Sequence, residues 1–137
     1  MDIEWLILAD AAQVSGNKLY LLGGGWDVLT VNQGFPARQH CAIAASFAID
    51  WTETNQQHAW QVRIESEDGV EMARFEGQME AGRPAGVLPG TRQRMQIAAD
   101  LTLEFTAAAT YVIVASVNGE TKARTSFRVV AGAKDRA

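Results

Sequence analysis

The stretch Ala9-Asp10-Ala11-Ala12-Gln13, then Gly16-Asn17, then Leu19-Tyr20-Leu21-Leu22-Gly23-Gly24-Gly25-Trp26-Asp27, decides how this chain folds. Two apolar segments flank a polar pair whose Gly and Asn tolerate the positive φ that a tight turn requires. A β-hairpin over residues 3–14 and 19–26 is therefore expected. The three glycines remove every side chain, so that end of the second strand must bulge, bend or admit another backbone. Glycine-rich turns also cradle phosphates, but that use needs a helix opening directly after them, and Trp26-Asp27-Val28-Leu29 reads as strand. A structural bulge is the expectation, with Asp27 capping the turn through its side chain. Residues 3–14 are apolar on both faces, which suggests a central strand covered on two sides; a short helix is the alternative that pattern alone leaves open.

Further strands follow along the chain. Residues 27–31 continue as a short strand, and 32–39, with Gly34 and Pro36, form a loop. Cys41, Ile43, Phe47, Ile49 and Trp51 alternate with Ala and Ser, the period of a strand packed on a core. Trp60, Val62 and Ile64 alternate with polar residues, Glu67-Asp68-Gly69 turns, and Ala73, Phe75 and Met79 return as a meander hairpin. Met95, Ile97, Leu101, Leu103 and Phe105 share one parity, while Gln96, Asp100, Thr102 and Glu104 share the other. Residues 111–117 are apolar, Asn118-Gly119 is a strong hairpin signal, and Ala123, Thr125, Phe127 and Val129 alternate with Lys122, Arg124, Ser126 and Arg128.

Seven to nine short strands without a capped helical period predict an all-β, antiparallel β-sandwich. The closing strands suggest an immunoglobulin-like arrangement in which Tyr111 takes the place of a corner tyrosine, although Ala109-Thr110 stands where glycine is usual. One domain over residues 1–131 with a flexible tail at 132–137 is expected, since 137 residues suffice for one core.

Composition narrows the function classes. A net charge of −4 offers no broad positive field for nucleic acid or anionic lipid, so neither is expected as a partner. The apolar run near the start is too short for a membrane span and is led by Asp2 and Glu4 where a signal peptide carries Lys or Arg. Cys41 is the only cysteine, which excludes an intrachain disulfide and suits a reducing, cytoplasmic compartment.

The chemical residues do not converge. His40 and Cys41 are strand neighbours facing opposite ways and cannot share a metal; His40 is expected in solvent and Cys41 in the core. No Gly-x-Ser-x-Gly elbow is present, and the carboxylates fall in turns or on polar strand parities. No catalytic residue, metal or cofactor is assigned.

What remains are contact candidates. The loop Gly82-Arg83-Pro84-Ala85-Gly86-Val87-Leu88-Pro89-Gly90, followed by Arg92 and Arg94, brings arginines that suit a carboxylate or phosphate on a partner. A crossover strap whose Val87 and Leu88 cover one end of the sandwich explains the same residues. Of the four tryptophans, Trp60 has core parity, while Trp26 and Trp51 lie at strand ends and are candidates for a contact surface. Trp26, Asp27, Trp51, Arg83 and Arg92 are the residues singled out.

The block of residues 9–27, together with Pro36, the segment 82–90 and the closing hairpin 111–130, resembles an uncharacterised family of small bacterial all-β proteins with an ADAAQ…KLYLLGGGWD signature. That resemblance implies a bacterial, cytoplasmic protein and gives no residue a role. The expected function is a non-catalytic module acting by self-association or protein contact. A small-ligand or carbohydrate-binding sandwich and an enzyme with a non-obvious site are the alternatives.

Overall fold

The computed structural model describes residues 1–132. It contains nine strands, β1 (Asp2–Ser15), β2 (Lys18–Gly24), β3 (Val28–Val31), β4 (Ala37–Ile49), β5 (His58–Ser66), β6 (Glu71–Met79), β7 (Gln93–Phe105), β8 (Ala109–Val117) and β9 (Glu120–Ala131), plus a single 3-10 turn over Trp51–Glu53. The expected flexible tail falls almost wholly outside the described residues.

The strands form two sheets, ordered β2-β1-β4-β7 and β3-β9-β8-β5-β6, and their inner faces make the β-sandwich. All pairings are antiparallel except β3 with β9, which is parallel. That edge cannot be a hairpin, because parallel neighbours need a long connection. β4 begins at Ala37, inside the segment expected as loop, because its full length pairs with β7 from Ala37↔Phe105 to Ile49↔Gln93.

The parities expected of β7 and β9 hold. Leu103, Phe105, Phe127 and Val129 are buried in the main cluster with Val62, Ile64 and Ile113. Phe127 lies 5.6 Å from Tyr111 and 6.0 Å from both Phe105 and Trp26, centroid to centroid, so four rings close one end of the core. The Tyr111 hydroxyl donates to the Ala107 carbonyl at 3.4 Å, spanning the β7–β8 connection. Ala45, Phe47, Ile49, Met79 and Val117 fill the opposite end.

The opening hairpin departs from a flat addition to the sheet. Ala9 pairs with Ala42, and Ala42 with Asp100, yet the turn residue Asn17 accepts from Gln96 Nε2 at 3.0 Å through its carbonyl. Gln96 pairs with Ser46, back in the row of Trp5. The distal hairpin therefore folds back over the outer face of its own sheet. The corner is the glycine run: Gly23 has φ +59°, a methyl there would strike the Asp10 carboxylate, and one at Gly24 would strike Leu21.

That fold-back explains the small residues of β4. Ala42 and Ala44 face away from the main core but are fully buried, in a cluster of their own with Ala12, Trp5, Leu19, Leu21 and Ala98. Ala42 and Ala44 are small because the hairpin sits directly on them, while Ser46 further along donates to Glu4 Oε1 at 2.9 Å. β4 is buried on both faces from Cys41 to Ile49.

Candidate functional site

The singled-out residues do not form one site. Arg83, Trp51 and Arg92 lie at one end of the sandwich, each engaged within the chain. The Arg83 guanidinium stacks on Trp51 with its central carbon 3.8 Å from the ring centroid, while Nε donates to Thr54 Oγ1 at 2.7 Å and Nη2 to the Trp51 carbonyl at 3.0 Å. Arg92 bridges Asp50 (2.8 Å) and Asp2 (2.6 Å). Beside it, Arg94 holds Glu4 through two hydrogen bonds of 2.7 and 3.0 Å. These arginines fasten the strap to β1 and to the 3-10 turn. Leu88 does not cover the end as a strap reading would have it, being 72% exposed.

The electrostatics of this end have a consequence. Hydrogen bonds from Arg94 and then Ser46 hold the Glu4 carboxyl at about 2 against an ordinary 4.5. A depressed folded-state pKa stabilises the fold above the unfolded value and loses that contribution as pH falls from about 4.5 to about 2. Urea denaturation as a function of pH is expected to show stability falling across this window in the wild type. In Glu4→Gln the fall should be shallower; an unchanged slope would contradict the assignment.

Trp26 and Asp27 lie between β2 and β3, beside Phe127 and Arg128 of β9 at the other end. Trp26 packs edge-on to Phe127, and its Nε1 is buried without an acceptor among the described residues. Its ring packs, partly buried, against the main core cluster. Asp27 binds through its backbone, its carbonyl accepting from the Arg128 N–H at 2.8 Å, rather than through the side-chain cap expected of it.

The nucleophilic and metal-ligating side chains are dispersed. Cys41 is buried and its thiol is pushed up to about 11, by burial first and then by the charges of Asp10 and Asp100. It stays protonated and unreactive at neutral pH. His40 is exposed on the outer face, 3.4 Å from Asp100. His58 is buried, with Nε2 at 2.8 Å from the Glu53 carbonyl and Nδ1 at 3.0 Å from Asn118 Nδ2. The carbonyl can only accept, so Nε2 carries the proton. Among the described residues no three His, Cys, Asp or Glu gather to hold a metal, and no helix is long and apolar enough to cross a membrane.

The surface that sequence reasoning passed over is the solvent side of the folded hairpin. Tyr20 is 57% exposed and Leu22 71%. Between the hairpin and β7 runs a groove of about 460 Å³ lined by Ala11, Gln13, Tyr20, Leu22, Ala98 and Asp100 among others. A signal was present in the sequence: Leu19, Tyr20, Leu21 and Leu22 are apolar at both parities, more than one buried face can use.

Comparisons with known proteins add the following. The sequence model of a family of unknown function, DUF6941, matches residues 4–130. No curated protein matches the sequence. Among solved structures the chain is similar to Pseudomonas fluorescens alkylpurine DNA glycosylase AlkC bound to DNA containing an abasic site analog, at 12% identity and a TM-score of 0.42. The match covers 91% of this chain and 30% of that one, so this chain spans under a third of that protein's length.

Proposed function

We propose that this chain, which belongs to the DUF6941 family of unknown function, is a non-catalytic binding or assembly module that acts by self-association or protein contact. One observation carries the reading: the fold-back hairpin presents Tyr20 and Leu22 to solvent on a strand at the edge of its sheet, where the surrounding fold has no use for them. Edge strands with exposed apolar residues invite pairing unless they are blunted. The arginines at the strap end are consumed by internal partners and offer a visitor less.

In this reading residues 1–131 form one domain of a bacterial, cytoplasmic protein. The strand orders, the parallel β3–β9 edge and the Tyr111 hydroxyl bond favour an immunoglobulin-like variety of sandwich. A small-ligand reading keeps one observation in its favour, the groove beside Tyr20. It no longer draws on the tryptophans, since stacking on Trp51 would displace Arg83 and the Trp26 ring is spent on Phe127.

Affinity capture from the native bacterium tests the proposal. The double variant Tyr20→Ser/Leu22→Ser is expected to lose the captured protein, whether a second copy or another chain, while Arg83→Ala retains it. Equal capture by the double variant at an unchanged melting temperature would overturn the reading. For the ligand alternative, a thermal-shift panel of metabolites and glycans reads binding in the groove directly.

A further inference from the structure

We propose that the partner is a second copy of this chain, paired antiparallel along β2 about a two-fold axis through Leu21. This inference rests on the binding reading above and names its occupant.

β1 and β2 are joined by the two-residue turn Gly16-Asn17, with Ser15↔Lys18 flanking it and Gln13↔Tyr20 and Ala11↔Leu22 beyond. Next to such a turn the flanking pair is hydrogen-bonded and the pattern then alternates. Lys18, Tyr20 and Leu22 therefore spend their N–H and C=O groups on β1. Those of Leu19 and Leu21 point away from it, to a sheet edge with no strand beside it among the described residues.

The other three sheet edges are blunted by the devices that prevent pairing. β3 has only four residues. β6 carries Glu71, Arg74 and Glu76, tied to one another by ion pairs. β7 carries Arg94, Asp100 and Glu104 on its outer parity. β2 holds a single charge, Lys18 at its start, followed by four apolar residues and two glycines.

Self-complementarity selects a second copy over another chain. About a two-fold axis through Leu21, the outward backbone groups of Leu21 meet those of the second copy's Leu21. Tyr20 falls opposite Leu22 of the second copy, and Leu22 opposite its Tyr20, so each exposed apolar side chain gains a cross-strand neighbour. Lys18 falls opposite Gly24 of the second copy. The Asp10 carboxylate there occupies the space a Gly23 side chain would fill, and Gly24 bears no side chain either. With strands about 4.8 Å apart, a lysine reaches across that bare backbone to the carboxylate. The relation closes after two copies, because it consumes the edge that it uses.

Light scattering over rising protein concentration is expected to show a monomer passing to a dimer and no further. Lys18→Glu alone places two like-charge contacts in the dimer, and so does Asp10→Lys alone; each should weaken dimerisation about tenfold or more. An equimolar mixture of the two variants restores both attractions and should dimerise about as well as wild type. Dimer formation should also slow hydrogen exchange at the Leu19 and Leu21 amides, and Leu22→Lys should abolish it. All three positions lie at the surface or the corner, and melting temperatures verify that the variants fold. A wild type still monomeric at about 1 mM, or a dimer indifferent to Lys18→Glu and Leu22→Lys, would overturn the inference. A monomer that still captures another protein through Tyr20 and Leu22 would remove the second copy and leave the binding reading standing.

Discussion

Phe127→Ala is expected to lower the stability of the fold by about 3–5 kcal/mol, the range for removing a fully buried aromatic side chain. Phe127 is 2% exposed and is the ring through which Trp26, Tyr111 and Phe105 meet. Its loss leaves a cavity whose lining comes from both ends of the chain and from both sheets. The surroundings cannot collapse into it cheaply, because Tyr111 is also tethered by its hydroxyl to Ala107. Urea denaturation should show a lower midpoint with an unchanged slope, the mark of lost stability rather than a changed unfolded state. Ser126→Ala, next door on the exposed face, should stay within about 0.5 kcal/mol of wild type. A midpoint for Phe127→Ala as close to wild type as that control would show that the four-ring cluster does not hold this end together.

The second large effect is an overpacking one. Ala44→Leu inserts three carbons between β4 and the folded-back hairpin, where Ala44 is fully buried against Ala12, Leu19 and Leu21. Overpacking a filled site costs about 1–3 kcal/mol. Here the strain has an outlet, since the hairpin is held by this small cluster and by the bond between Gln96 and Asn17. Lifting the hairpin relieves the strain while the sandwich stays intact. Limited proteolysis should therefore cut Ala44→Leu between residues 10 and 18 under conditions in which wild type resists, with far-UV circular dichroism nearly preserved. Global unfolding without an earlier nick would mean that the hairpin and the sandwich are one cooperative unit.

Much of the fold was legible in the sequence, and for identifiable reasons. Alternation in β7 and β9 revealed a buried and a wet face because each has only one core to serve. Gly16-Asn17 and Asn118-Gly119 announced their turns because the required positive φ excludes most other residues. The fold-back was not legible as such. Its trace is the small residues between the large ones of β4, which read from sequence alone as the period of a strand packed on one core and in three dimensions make, at Ala42 and Ala44, a bed for a second layer. The contact candidates fared differently. Arg83 and Arg92 stand out in the sequence by residue type and loop position and Trp51 by its place at a strand end, and nothing in the sequence tells a guanidinium facing solvent from one stacked on a tryptophan of the same chain. Tyr20 and Leu22 were passed over because a strand in the expected hairpin accounts for apolar residues without asking which face they are on.

The parallel pairing of β3 with β9 bears on how the protein is made. Val28 meets Arg128 across about a hundred residues of chain. At a synthesis rate of about 5–20 residues per second, β3 waits roughly 5–20 s for the strand that completes it. Through that interval β4 and β7 can already pair, while the second sheet lacks one border. Distant pairings of this kind also place the free chain among slow folders, on the scale of milliseconds to seconds, since loop closure must precede any gain from contact. The nascent protein thus passes through a stage with one nearly finished sheet and one unfinished, and its exposure to misassembly is greatest just before β9 arrives.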